Sequence, residues 1–393
     1  MLSSFKRGVI TLVKNALKGE NSPLPEDFDY SKLYRFAISQ HILPIVYCGG
    51  RNDAGFIAHD EGRKIYGAAM YYALANQNRF EMLDEICRTF EKNGIDYMPL
   101  KGATIKDLYP SRDLRLIGDA DILIKDEQSE DIEKIMTALG YEYEKTSDYE
   151  WKWQKDGFEV ELHKKLVPSH TKDLSAYLGN GWGRAKPRVE GGHEYALGCE
   201  DELIYLFSHF TKHYRHSGIG IKHLVDIYVF LGAHPELDAD YVYSELDRLG
   251  IGKFYRNVIR TLEVWFDGAE GDEVTEFITN KIFSGDAYGT EEHLAKYSAA
   301  VLAKDTNAKK AKNKKLISVI FLNYGEMCKM YPWLKKCPIL LPFAWIGRLI
   351  RVVLFRRENI KKVGESIAVI NDTDIDSYKS ELRLVGLDFN FEV

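Results

Sequence analysis

Apolar residues recur along this chain with two different periods, and the places where the period changes divide it. Residues 1–94 carry helical spacing throughout. The opening MLSSFKRGVITLVKNALKGE sets Lys6, Arg7, Lys14 and Lys18 among apolar positions, the pattern of an amphipathic helix. Ser31 is the predicted cap of a helix bearing Leu33, Phe36 and Ala37. A long helix from about Glu61 then places Phe80, Leu83, Cys87 and Phe90 on one stripe until Gly94 stops it.

From Ile95 the period shortens to two. Ile95–Leu100 reads as a strand, with Pro99 suited only to its end or to a sheet edge because it has no N–H to give a ladder. Asp119–Ile124 reads as a second strand. A helix with Ile132, Ile135, Met136 and Leu139 follows, ended by Gly140. Tyr141–Glu144 is a further strand, and Glu150–Leu162 reads as two strands joined at the tight turn Asp156-Gly157. Gly179–Gly192 is an irregular connection. Helical spacing then returns with Leu203, Leu206, Phe207 and Phe210, with the run Ile221–Leu231, and through residues 235–308, and the tail Ile367–Val393 reads as a short extended or irregular cap. The expected fold class is therefore α+β, a small mixed sheet with flanking helices set between helical regions. The predicted boundaries are 1–94, 95–190, 191–308 and 309–393.

The strand periodicity also sorts the polar residues. Asp119 and Asp121 project from one face of their strand while Ala120 and Ile122 project from the other. Likewise Phe158, Val160 and Leu162 share one face, and Glu159, Glu161 and His163 the opposite one. Carboxylates so placed can share a hard divalent cation. Upstream, the Lys101-Gly102 turn leads into a short helix, Ala103–Tyr109, closed by Pro110, and a helix start after glycine offers N–H groups to an anion. Farther on, His209 and His213 stand at the i, i+4 spacing, near His216 and His223. A zinc site there would need a further ligand, for which Asp226 is a nominal candidate.

Leu100-Lys101-Gly102, Tyr109-Pro110, Arg115, Asp119-Ala120-Asp121 and the later Val160-Glu161-Leu162-His163 together resemble the nucleotidyltransferase superfamily that includes DNA polymerase beta. The pattern is most similar to its large, poorly characterised bacterial branch. The resemblance covers Ile95–Leu166 well, and more loosely the segments His209–Asp226 and Tyr331–Phe355. It implies a nucleotidyltransferase sheet, and transfer of a nucleoside monophosphate from an NTP, ATP by preference, to a hydroxyl on a small molecule or protein. Asp119, Asp121 and Glu161 would converge in one cleft to hold two magnesium ions about 4 Å apart. Lys101, Gly102, Ala103, Thr104 and Arg115 would receive the triphosphate. Better-known members carry a serine or glycine where this chain has Ala103, so Thr104 or backbone N–H groups would replace a missing contact, and Ala103→Ser would tighten NTP binding. Asp121→Asn is expected to end transfer without disturbing the fold.

Composition narrows the partners. A formal charge of −6 over 393 residues offers no general attraction to nucleic acid, so a long duplex is not expected as a partner. The five cysteines are scattered without metal-ligand spacing, which fits reduced thiols and a cytoplasmic location, and the start of the chain lacks the uninterrupted apolar stretch of a signal peptide. The basic run Lys309–Lys315 and the later PILLPFAWIGRLIRVVLFRR read first as a solvated basic face on a packed helix and second as weak contact with a membrane surface, and not as a span, because Pro342, Arg348 and Arg351 interrupt the apolar stretch. Two alternatives to the transferase are a catalytically inactive nucleotide-sensing or partner-binding module of antitoxin type, and a membrane-surface enzyme with a glycan or lipid-linked acceptor.

Overall fold

The amphipathic start forms α1 (Ser4–Lys18), which buries Val9, Leu12, Val13 and Ala16 and turns Arg7 and Lys18 outward. The structure, a computed structural model, describes residues 2–146, 149–167, 172–287, 289–302, 317, 321–355 and 372–388. A 3₁₀ turn, Tyr30–Lys32, precedes α2 (Leu33–Ser39). The cap expected at Ser31 falls to Asp29, whose carboxylate accepts both the Ser31 N–H, at 3.0 Å, and the Ser31 hydroxyl. Next come α3 (Leu43–Gly50), α4 (Ala54–Ala58) and the long α5 (Asp60–Lys92). Gly94 closes α5 with φ 69° and lets the Ile95 N–H return to the Phe90 carbonyl at 3.0 Å.

That return, with the Asp96 N–H held by the Gln128 side chain, delays the first strand, so β1 is Tyr97–Leu100 rather than Ile95–Leu100. The short helix is also briefer than expected. It divides into α6 (Gly102–Ile105) and a 3₁₀ turn, Lys106–Leu108. Then follow β2 (Asp119–Ile124), α7 (Ser129–Ala138), β3 (Glu142–Thr146), β4 (Glu150–Lys155) and β5 (Phe158–His163). The five strands form one mixed sheet in the order β1-β2-β5-β4-β3, in which only β2 and β5 run parallel. Pro99 thus lies on an edge strand. One face of the sheet, with Ala120, Ile122, Phe158, Val160 and Leu162, packs on Phe80, Leu83 and Phe90 of α5 and on Ile132 and Met136 of α7.

After β5 the chain forms α8 (Lys172–Leu178), a two-residue pairing of β6 (Lys186–Pro187) with β7 (Tyr195–Ala196), and then α9 (Cys199–His216) and α10 (Ile221–Ala233). Helices α11 (Ala239–Arg248), α12 (Gly252–Phe266), α13 (Glu273–Ser284) and α14 (Glu291–Leu302) follow, and the last helices are Tyr324–Met330, Leu341–Phe355 and Asp372–Val385. Within the tail, the described residues 372–385 are therefore helix and not an irregular cap. Ile375, Tyr378, Leu382 and Val385 form a buried helical stripe, diluted in sequence by the charged residues between them. The basic run Lys309–Lys315 lies outside the described residues. By its contacts the chain divides into two compact units, one of Met1–His213, Ile219–Tyr288 and Val385–Val393, the other of Tyr214–Gly218 and Gly289–Leu384.

The loop between α6 and β2 is pinned from two sides. Buried Asn76 of α5 donates to the Arg115 carbonyl at 3.0 Å and accepts the Ile117 N–H at 2.9 Å. On the other side the buried Arg115 guanidinium forms a two-pronged pair with Asp226 of α10, at 2.7 and 2.8 Å, and Tyr109 donates its hydroxyl to the same carboxylate at 2.7 Å. Asp226→Ala leaves that guanidinium buried without its counter-charge, and is expected to lower the unfolding free energy by about 3–5 kcal/mol. Urea denaturation followed by circular dichroism measures it. A loss below about 1 kcal/mol would mean the pair does not hold the loop.

Candidate active site

The parallel pairing of β2 with β5 sets Asp119 beside Glu159 and Asp121 beside Glu161, with Leu123 beside His163. Since residues two apart share a face, Asp119, Asp121, Glu159, Glu161 and His163 stand together opposite the core. All but Glu159 line a cleft of about 330 Å³, together with Lys101, Gly102 and Arg115, Tyr149 and Glu150, and His209, Lys212, His213, Lys222, His223 and Asp226 from α9 and α10. Ligand atoms of Asp121, Glu161 and His163 lie within 4.8 Å of one another, and so do those of Asp119, Glu159 and Glu161.

So many carboxylates in one place repel, and cations placed by the fold offset this. Lys101 Nζ lies 2.8 Å from Asp121 Oδ1, and His163 Nε2 lies 2.6 Å from the same oxygen and 3.5 Å from Glu161 Oε2. Lys152, directly opposite Glu161 in the β4–β5 register, pairs with Glu161 and, at 3.0 Å, with Glu159. Burial drives the Asp121 carboxyl upward, but the Lys101 charge and the His163 hydrogen bond prevail and hold it well below the usual range. Glu161 behaves alike. Burial raises it, yet hydrogen bonds from His163 and Lys152 bring it down to about 2. Asp119, at the start of β2, has none of these cations in direct contact, and desolvation by the cleft together with the Asp121 charge outweighs the Lys101 charge and pushes its carboxyl up. His163 is pulled down by burial and more strongly up by its hydrogen bonds to Asp121 and Glu161, so its net shift is upward.

The turn before α6 departs from expectation. Lys101 adopts φ 51° and ψ −119°, a conformation that costs a non-glycine residue roughly 1–3 kcal/mol. Its carbonyl accepts the N–H groups of Thr104 and Ile105, at 3.0 and 2.9 Å, so those amides are already engaged. Ala103 belongs to the hydrophobic core, and Thr104 donates its hydroxyl to Glu202 at 2.8 Å within a separate cavity behind the turn. Of the five residues expected to receive a triphosphate, Lys101, Gly102 and Arg115 line the cleft and Ala103 and Thr104 do not. A serine hydroxyl at 103 would enter the core rather than the cleft, which removes the reason for Ala103→Ser to tighten binding. Arg115 lines the cleft with its charge committed to Asp226.

Asp226 is likewise no free zinc ligand. The His209 and His213 rings lie 4.4 Å apart, and His223 lies 6.1 Å from His213. Burial first, then the Lys101 charge at His209 and the Lys222 charge at His223, lowers both imidazoles well below their ordinary value and keeps them neutral. Asp121→Asn cannot be neutral for the fold either, because it removes the counter-charge of Lys101, whose packing neighbours on the far strand face give no hint of it.

Sequence reasoning assigned no role to Lys152, Glu159, Lys212 or Lys222. The two-residue turn at Asp156-Gly157 fixes the hairpin register and so could have placed Lys152 opposite Glu161. Lys222 is a cation in a largely apolar helix that also carries His223 and Asp226; it is 4% exposed, and only its packing directs it to the cleft. Burial and the Arg115 charge lower it to about 7.

A protein family described as uncharacterised nucleotidyltransferase matches residues 26–267. Among solved structures, the solution structure of the antibiotic-resistance factor ANT(2'')-Ia is similar at 14% identity, covering 48% of this chain and 97% of that one, with a TM-score of 0.33. No curated protein matches.

The ion pairs have a pH signature. Glu161 in the folded chain lies near 2, below its ordinary 4.5, so its contribution to stability is full above about pH 4.5 and is lost as pH falls through 2. Glu161→Gln is expected to flatten this acid limb. Thermal melting between pH 2 and 6 checks it, and an unchanged slope in the variant would remove Glu161 from the network.

Proposed function

The chain belongs to the uncharacterised nucleotidyltransferase family, and from that premise we propose that it moves a nucleoside monophosphate from an NTP, ATP by preference, to a hydroxyl on a small molecule or protein. The observation that carries this reading is the gathering of Asp119, Asp121, Glu161 and His163 on the β2–β5 pair inside one cleft, with Glu159 beside Asp119 in the register. Their donor chemistry fits magnesium, because hard oxygens predominate and two overlapping groups share Glu161. Asp119, Asp121 and Glu161, with Glu159 and His163 beside them, would hold the ions. Divalent ions bound there supply charge neutralisation for an in-line displacement at phosphorus.

The chain's own residues supply the rest. Lys222 and Lys212, on the helical wall facing the carboxylates, would bind the triphosphate oxygens, a role that the positions of Ala103 and Thr104 leave open. Lys101 balances Asp121 and keeps it ionised. A carboxylate of this cluster would accept the proton of the acceptor hydroxyl. A cytoplasmic location accords with ATP and magnesium as reactants. A second reading, nucleotide sensing without turnover, draws support from the pairing of Asp121 with Lys101 and of Glu161 with Lys152.

Incubation with α-labelled ATP, magnesium and a metabolite or protein extract is expected to place the label on an acceptor with release of pyrophosphate. Magnesium-dependent nucleotide binding without pyrophosphate would favour the sensing module. The ion pairs of the cleft fall on Asp121, Glu159 and Glu161 rather than on Asp119, which makes Asp119→Asn the substitution that separates chemistry from stability. It is expected to cut transfer by about 10²–10³-fold with the melting temperature unchanged, a loss comparable to removal of one preorganised electrostatic contact. Full activity in that variant would end the assignment.

Lys222→Met is expected to weaken binding of a non-hydrolysable ATP analogue by roughly ten- to a hundredfold, the loss of one charge-assisted hydrogen bond. Calorimetric titration reads it. Unchanged affinity would leave the triphosphate to other groups.

A further inference from the structure

The second unit carries an exposed surface none of whose residues lines the carboxylate cleft. Helix Leu341–Phe355 seats Ala344 on a small core with Met327, Cys328 and Leu334, and Leu341 and Trp345 pack against the same cluster. The Trp345 indole N–H reaches the Leu322 carbonyl at 2.9 Å and fixes the helix rotation. That rotation leaves the opposite stripe outward. Phe343 is 68% exposed, Ile346 and Ile350 are each 55% exposed, and Ile339 in the preceding turn is 90% exposed. The spacing of 339, 343, 346 and 350 is that of one helical face, so this is a continuous apolar stripe rather than scattered side chains.

The stretch of chain that carries it has one sign of charge. Between Glu326 and Glu358 the sequence has no Asp or Glu and seven Lys or Arg, of which Lys335, Lys336 and Arg351 are exposed. We propose that this face of the second unit lies on an anionic phospholipid surface, with Ile339, Phe343, Ile346 and Ile350 entering the headgroup boundary and the flanking cations meeting lipid phosphates. An apolar stripe bordered by cations is the arrangement that combines burial with attraction to anionic lipid. The helix lies in the surface plane, because among the described residues no helix is long and apolar enough to cross a membrane. A second copy fits this face poorly, since a twofold contact would bring two acid-free cationic surfaces together.

The test uses the full chain and sedimentation with large unilamellar vesicles. Vesicles of phosphatidylcholine with phosphatidylglycerol should carry the protein down, and phosphatidylcholine alone should bind it roughly tenfold or more weakly, as should the anionic vesicles at high salt. The triple variant Phe343→Ser, Ile346→Ser, Ile350→Ser alters only exposed side chains and is expected to lose at least about tenfold in partitioning, with circular dichroism unchanged. Lys335→Glu with Lys336→Glu tests the charge separately and should weaken binding to anionic vesicles alone. Three results would overturn the proposal. These are no sedimentation of the wild type with anionic vesicles, equal binding by wild type and the triple variant, or a lipid-free dimer that the triple variant abolishes, which would make the face a protein interface.

Discussion

Four carboxylates on adjacent strands repel one another, and the local structure is arranged around keeping them together. The parallel register of β2 and β5 forces the proximity, since it places Asp119 against Glu159 and Asp121 against Glu161. The cost is met from three directions: Lys101 from the turn after β1, Lys152 from the antiparallel neighbour β4, and His163 from β5 itself. Asp121 and Glu161 are driven down by these partners, while burial drives up Asp119 and, against Lys152, Glu159. One cluster therefore contains both strongly ionised acceptors and groups that hold a proton more readily, a division of the kind that acid–base chemistry uses.

This arrangement holds only if the strands and the turn cannot drift. Behind the sheet, α5 and α7 supply the apolar support, and the same α5 reaches around through Asn76 to hold the backbone before β2. In front, Arg115 and Asp226 tie that loop to α10, and α10 carries Lys222 and His223 into the cleft. The acidic floor and the basic and imidazole wall are thus positioned by one buried ion pair. Lys101 accepts an unfavourable backbone conformation at the junction, where its carbonyl anchors α6 and its ammonium reaches Asp121.

The turn between Lys101 and Thr104 divides two environments. Lys101 and Gly102 face the cleft, while Ala103 and Thr104 face the core and the cavity containing Glu202. Of the turn, therefore, only Lys101 and Gly102 can meet a ligand in the cleft. The absence of a serine at position 103 has no consequence inside the cleft.

The sequence by itself determined the alternation that sends Asp119, Asp121, Glu159, Glu161 and His163 to one face of their strands, because a period of two is local geometry and needs no partner. It also determined the hairpin at Asp156-Gly157, the edge position of Pro99 and the stripe of the long α5, each set by the chemistry of a few neighbouring residues. The tertiary structure decided that β2 and β5 are parallel neighbours, and hence that Glu161 meets Asp121 although 40 positions of sequence (161 − 121) separate them. It also decided that Arg115 is spent on Asp226, that Ala103 belongs to the core, and that Lys222 is aimed at the carboxylates. None of these could be read locally, because each depends on which distant element lies against the residue, and a side chain's charge is worth what its surroundings leave uncompensated.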